Sequence, residues 1–474
     1  MKGAGMRTRK EKYSKFSLLT GAAWIAIGGF VAKILGALYR IPLTDLIGGH
    51  GIGLYQLVYP VYCLLLTVSA TGIPSSIAKL TAERVKDGQP TADVLKTAMR
   101  LFLIIGLFGS VLMAIIAPAL STAQGSREVL NGYYALAPSV FFVSAISVFR
   151  GWFQGQNKMQ PTAFSEITEQ AVKVALGLYF ANRFQNNIQK AVVYLLLAVT
   201  LSEIAALLLL WWIYRRQNRK KQRQKCKECR KNQKTQQNPA PVEQENTASR
   251  GLTKPITAKT ILKLSIPVTF SAILLPLSAL LDSVLAPRLL SAYTTDAVTL
   301  FGLFAGGAVT IVGLPVSVCY GIAAASVPAV ASSKQPRKKL FFSLAVTAAV
   351  GLPSAVGLYL FANPAVKMIF RSLSGEELAT LVKLVKIFSI SALTLSCVQT
   401  LSACLTAQGK PQYAALSMLI AVTIKTAVYV TLLQDPRFSI FGMAHATNIC
   451  YLVAFFLNLL YNLRVSKKDN KKLQ

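Results

Sequence analysis

The chain has 474 residues, of which 53% are hydrophobic and only 15% charged. That balance excludes an ordinary soluble domain and points to a polytopic membrane protein. A formal charge of +33 would suggest nucleic acid on a soluble chain, but the cations lie in loops between apolar runs, which argues against a nucleic-acid partner.

The basic N-terminus, from Lys2 to Lys15, leads into an apolar run longer than the roughly 7–15 residues of a signal-peptide core. An uncleaved first span is therefore predicted. With about 20 apolar residues needed per crossing, twelve spans follow: 16–39, 54–78, 97–120, 131–153, 161–182, 190–214, 260–287, 299–328, 339–362, 380–406, 412–433 and 441–463. Residues 215–258 separate six from six. This stretch is basic and has almost no large apolar residue, so it is predicted to be a disordered cytoplasmic linker. The expected domains are a six-helix lobe over 1–214, the linker over 215–258, and a second six-helix lobe over 259–474.

The loops alternate in charge. One set carries the N-terminal cluster, Lys79, Arg84, Lys86, Arg150, Lys158, the linker, the Lys334–Lys339 cluster, Lys410 and the C-terminal tail. The other carries only scattered cations such as Arg127, Arg183, Arg288 and Arg371. By the positive-inside bias, both termini are expected in the cytoplasm. The basic loops are also placed to touch anionic lipid.

Seven cysteines give no disulfide framework. Cys226 and Cys229 form one CxxC in the linker, short of the four ligands of a structural zinc site. No metal or cofactor is expected, and the pair reads as reduced cytoplasmic thiols.

The halves resemble each other. At an offset of 252, Gln156 meets Gln408, Lys158 meets Lys410, Gln160 meets Gln412 and Lys173 meets Lys425. Each half thus places one lysine fifteen residues into the segment after a basic turn. Six spans return the chain to its starting side, so two parallel repeats about an axis along the membrane normal are expected.

Charges within spans are costly and tend to face a bundle interior or a watery cavity. In the first span Lys33 and Arg40 are seven residues apart, on one face and about 10 Å from each other. Arg40 has the alternative of snorkelling to the outer interface. In the fifth, Glu166, Glu169 and Lys173 form one polar stripe with Gln170 beside it. Glu169 and Lys173 have the favourable i,i+4 orientation for an ion pair, which leaves Glu166 to pair elsewhere, titrate or bind a cation. Glu203, Asp282 and Lys425 complete the set, Asp282 being bracketed by Pro276 and Pro287. The expected substrate-binding cations are Lys33, Arg40, Lys173 and Lys425, and the expected coupling or cavity acids are Glu166, Glu169, Glu203 and Asp282. No group-transfer constellation and no phosphate-binding glycine loop of the GxxxxGKS type is present, so neither an enzyme nor a direct ATP-driven pump is expected.

The stretches "KILGALYRIPLTDLIGGHGIGLYQLVYP", "GIPSSIAKLTAE", "FRGWFQGQNKMQPTAFSEITEQ" and "LLDSVLAPRLL" resemble the polysaccharide-flippase branch of the multidrug/oligosaccharidyl-lipid/polysaccharide (MOP) exporter superfamily. The likeness is greatest to its sporulation-protein members and more distant to the lipid II flippases. It implies a MATE-like pair of lobes around a central cavity, working by alternating access as a flippase of undecaprenyl-pyrophosphate-linked glycans in the bacterial cell membrane. Lys33 and Arg40 match the basic residues that the family places on its first helix. Glu169, Gln170 and Lys173 match its Glu-Gln pair followed by a base. Those relatives have fourteen helices against the twelve stretches here, which leaves the particular glycan open. The implied partners are the lipid bilayer and a lipid-linked glycan, with the protein acting as a monomer. Coupling could draw on the membrane potential, protons or sodium. Two other functions fit the same residues: a cation-coupled multidrug exporter, and a non-transporting scaffold for glycan assembly.

Overall fold

The computed structural model describes the backbone of residues 2–70, 72–235, 257–331, 336–373 and 375–472, and most side chains of 28–68, 72–223, 257–326 and 337–465. The described residues form helices and no strand. The first half contains α1 (Lys2–Ala70), α2 (Gly72–Lys86), α3 (Ala92–Ala123), α4 (Leu130–Gly155), α5 (Gln160–Arg183) and α6 (Ile188–Thr235). The second contains α7 (Ala258–Ala272), α8 (Leu274–Leu290), α9 (Ala297–Gly302), α10 (Val309–Ala331), α11 (Pro336–Leu360), α12 (Ala362–Ile369), α13 (Gly375–Phe388), α14 (Ser391–Ala407), α15 (Pro411–Leu433) and α16 (Phe441–Lys472). A π-turn, Leu303–Ala308, joins α9 to α10.

α1 is two helices joined at Gly48, whose φ of 65° is a left-handed value that glycine adopts without a Cβ clash. Among the described residues, eight helical segments are long and apolar enough to cross a membrane, or nine if α13 and α14, bent by 44°, cross as one. That is fewer than the twelve stretches predicted, for local reasons. α5 carries Glu166, Glu169 and Lys173 inside it, and α7 and α8 are only 15 and 17 residues long, split at Ile273. Much of the first stretch, 16–39, lies outside the described side chains.

The linker also differs from expectation. α6 stays helical past residue 214 as far as Thr235. Lys, Arg and Gln are good helix formers, and a helix already nucleated in the bundle propagates cheaply. Residues 236–256 and the side chains of Cys226 and Cys229 lie outside the described residues.

One continuous core runs through both halves. Ile47, Leu57 and Tyr62 of α1 pack with Tyr133 of α4 and Leu196 of α6, and the cluster continues to Phe301, Phe304 and Leu384. A second cluster joins Ile73, Phe149, Trp152 and Leu210 to Ile261 of α7. The halves approach closely near Gly48. A Cβ on Gly53 would lie 2.2 Å from the Val298 carbonyl oxygen, and one on Gly302 would lie 2.5 Å from the Gly53 nitrogen. Hydrogen bonds stitch the same end: the Ser372 N–H donates to Asp45 (3.0 Å), its hydroxyl to the Thr44 carbonyl (3.1 Å), and Gln124 to Ser283 (3.2 Å). This packing seals the end whose loops hold few cations and leaves a hollow between the halves.

Candidate functional site

That hollow is a cavity of about 1000 Å³. α1 and α5 form one wall; α8, α10, α15, α16 and the π-turn form the other. Among the described residues four charged side chains line it, three cationic and one acidic: Arg40, Lys173, Lys425 and Asp282. Each is held differently.

Arg40 does not turn to the outer interface. It reaches across to the other half, donating to the Gly306 carbonyl at 3.1 Å and to the Thr310 hydroxyl. Thr310 donates to the same carbonyl at 2.6 Å. A π-turn shifts the backbone ladder from its i→i+4 pattern, and here the carbonyl within it accepts from two side chains. Gln56 makes a longer contact to the neighbouring Ala305 carbonyl, at 3.4 Å.

Lys425 is 5% exposed. It forms an ion pair with Asp282 and donates to the Ser278 hydroxyl at 3.2 Å. The second oxygen of Asp282, Oδ1, is buried without a partner. This lysine and this acid largely cancel each other within one half.

Lys173 is half-buried and makes neither an ion pair nor a hydrogen bond to the described residues. The predicted Glu169–Lys173 pair is not formed. Glu169 instead accepts from Arg150 of α4 at 2.9 Å, and the same guanidinium donates to Ser165 at 2.9 Å. A planar guanidinium satisfies two acceptors one helical turn apart, which a single ammonium on the same helix cannot do as well. Arg150 therefore takes the carboxylate and leaves Lys173 facing the cavity. Next to it, Gln170 lines the cavity with its Oε1 buried and unpartnered.

The remaining predicted acids stand back from this space. Glu166 is half-buried on α5 and has no ion pair among the described residues. Glu203 is 2% exposed. Its Oε1 accepts from the Tyr62 hydroxyl at 2.9 Å, while Oε2 has no partner. Neither these two nor Glu169 lines the cavity. Lys33 lies on α1, but its side chain falls outside the described residues.

Several cavity residues were not singled out from the sequence. Tyr55 and Tyr59 stack at 5.2 Å between ring centroids and face the space together with Gln56. Their signal was present as an i,i+4 aromatic pair beside a lone glutamine in "GLYQLVYP". Ser278 and Thr310 carried no such signal, because they matter only through partners on other helices. The arrangement offers unshared cationic charge, amides and aromatic faces in one chamber. It can hold an anion that carries hydroxyl-rich groups.

The sequence profile described as "Polysaccharide biosynthesis protein" matches residues 18–334. Stage V sporulation protein B of Bacillus subtilis (strain 168) is 26% identical over 446 residues, covering 91% of this chain and 81% of that protein. Among solved structures, the inward-facing conformation of a multidrug resistance MATE family transporter of the MOP superfamily matches with a TM-score of 0.69 at 15% identity. That match covers 92% of this chain and 96% of the other. Lipid II flippase MurJ in its inward closed conformation matches with a TM-score of 0.66 at 15% identity, covering 93% and 89%. These two likenesses are of fold. With its profile spanning well over half of the sequence, the chain belongs to the polysaccharide biosynthesis protein family.

Proposed function

We propose that this protein is a flippase that moves an undecaprenyl-pyrophosphate-linked oligosaccharide or peptidoglycan precursor from the inner to the outer leaflet. It would serve cell-wall, spore-cortex or polysaccharide assembly in a bacterial plasma membrane, acting as a monomer. The observation that carries this reading is the charge of the cavity. Among the described residues three cations face it against one acid, and that acid is already paired with Lys425. The surplus sits on Arg40 and Lys173, where an anionic pyrophosphate would be held. Tyr55, Tyr59, Gln56 and Gln170 lie beside them, suited to sugar faces and hydroxyls. A chamber for organic cations would carry the opposite surplus, so drug export fits less well. The names of two similar proteins, a stage V sporulation protein and a lipid II flippase, point the same way.

In this reading the twelve predicted stretches act as twelve spans in two six-helix lobes, with both termini cytoplasmic. The polyprenyl tail stays in lipid while the lobes rock about the cavity. The close packing at Gly53 and Gly302 would be the outer seam, which has to part for release. With the inside negative, an anionic head group is favoured outward by about 2.3 kcal/mol per charge per 100 mV. A proton could supply further drive at Glu203, whose carboxyl is buried and, among the described residues, has one oxygen without a partner and no cation within ion-pairing distance.

The test is transport of a fluorescent lipid-linked sugar in vesicles containing the purified protein. Arg40→Ala, Lys173→Ala and Lys33→Ala are each expected to slow flipping at least tenfold. Wild-type rates in Arg40→Ala and Lys173→Ala would overturn the proposal. Resistance conferred on a pump-deficient host would favour the exporter instead.

A further inference from the structure

Away from the cavity, the distal part of α6 carries a second concentration of charge. Trp211, Arg215, Arg219 and Arg223 recur at i,i+4 spacing, with Trp212, Arg216 and Lys220 in the adjacent row. All seven side chains are exposed, the tryptophans at 42% and 54%, and together they line a shallow groove of about 500 Å³. The Arg215 guanidinium lies 3.9 Å from the Trp211 ring centroid, and that of Arg216 lies 5.3 Å from Trp212. No acidic residue occurs between Glu203 and Glu228, and none of the five cations has an ion pair among the described residues.

The helix is held in rotation by its other face. Tyr214 packs at 5.7 Å from the Phe149 ring and 5.4 Å from Trp152, and Gln217 accepts from Lys158 at 3.0 Å. The stripe must therefore point away from the protein. Its depth follows from length. The apolar part of α6, residues 188–210, is about 34 Å long at 1.5 Å per residue, enough to cross a hydrocarbon core of about 30 Å. Trp211 and Trp212 then sit at the boundary where aromatic belts form. The cations continue through the headgroup layer, Arg223 being about 18 Å beyond Trp211.

We propose that this stripe is a binding site for anionic phospholipid headgroups, with their phosphates on Arg215, Arg216 and Arg219 and their glycerol and upper acyl chains beside Trp211 and Trp212. Charge and depth together select this occupant. A soluble polyanion would complement the cations but would have no use for two rings exposed at the edge of the hydrocarbon. A neutral lipid would complement the rings and leave five cations unanswered. The site depends on the chain's place in a membrane and not on what the cavity carries.

The test uses the full chain in phosphatidylcholine nanodiscs doped with brominated phosphatidylglycerol or brominated phosphatidylcholine, read by tryptophan quenching. The signal of the pair is taken by difference from a W211F/W212F variant. Each basic residue near an anionic surface is worth roughly fivefold in partition, so brominated phosphatidylglycerol should quench several-fold more effectively than brominated phosphatidylcholine. That excess should vanish in R215Q/R216Q/R219Q/K220Q/R223Q, which keeps both rings. It should survive in R337Q/K338Q/K339Q, which removes another basic cluster. It should also shrink in 1 M salt, where the Debye length falls to about 3 Å. Equal quenching by the two lipids in the wild type would overturn the site, and this comparison needs no variant with altered charge. An excess that persists in the five-site variant, or is lost equally in the three-site control, would also overturn it. Capture of RNA by wild-type nanodiscs of pure phosphatidylcholine, without preference for phosphatidylglycerol, would assign the surface to a soluble partner and overturn it too.

Discussion

Lys173 and Lys425 occupy the same position in the two halves, fifteen residues after a basic turn, yet they do different work. Lys425 is buried against Asp282 and Ser278 on α8. Lys173 faces the cavity without a partner among the described residues, because the nearest carboxylate on its own helix is held by Arg150. The repeat supplied two equivalent ammonium groups, and neighbouring helices made one structural and left the other available. In both halves the deciding residue lies on a different helix from the lysine, Asp282 on α8 and Arg150 on α4.

The contrast is sharpest in stability. Lys425→Met should cost about 3–5 kcal/mol, because it strands a buried carboxylate. Adding Asp282→Leu should recover most of that loss, since a buried pair can often be replaced by apolar side chains at little cost. Chemical unfolding in detergent measures both, and a neutral single variant would remove the structural role of Lys425. Arg150→Gln comes next, with an expected loss of about 1–3 kcal/mol from the unsatisfied Glu169. It should also slow flipping although Lys173 is intact, because Glu169 becomes free to pair with it at i,i+4. Arg150→Gln with Glu169→Gln should restore the rate; if the double variant stays slow, Arg150 acts on transport by another route.

Lys173→Met should show the opposite profile to Lys425→Met. Flipping should fall at least tenfold, about 1.4 kcal/mol in the barrier, while unfolding stability moves by no more than about 0.5 kcal/mol. A large loss of stability would mean that the two lysines are alike after all. The smallest effect is expected at the sealed end, where His50 and Glu128 pair at 3.0 Å with side chains 43% and 49% exposed. His50→Gln should change stability by less than about 1 kcal/mol, as for other exposed pairs.

The helical content and membrane character were legible in the sequence because apolar runs and basic loops add up over whole segments. The break at Ile273 and the π-turn at Leu303–Ala308 were not. "LFAGGA" reads as an unremarkable apolar stretch, and its role as the acceptor for Arg40 arises only when α1 lies against it. Residues 215–235 are helical where polar composition alone predicts disorder, because Lys, Arg and Gln are good helix formers. At the site, Arg40, Lys173, Lys425 and Asp282 could be picked out as costly charges within apolar helices, and all four line one cavity. The pairing of Glu169 could not be read, because a local i,i+4 rule cannot see a guanidinium arriving from α4, nineteen residues earlier in the chain.

By itself, the sequence determined that this is a helical, multi-pass membrane protein of the polysaccharide biosynthesis protein family, with a lysine repeated at matching positions in its halves. Those features depend on composition, periodicity and spacing, which survive any small change in packing. Only the tertiary structure decided which charges are spent on one another and which remain for a ligand. An ion pair or hydrogen bond needs its atoms within about 3–4 Å, and that placement is set by how helices distant in sequence pack together.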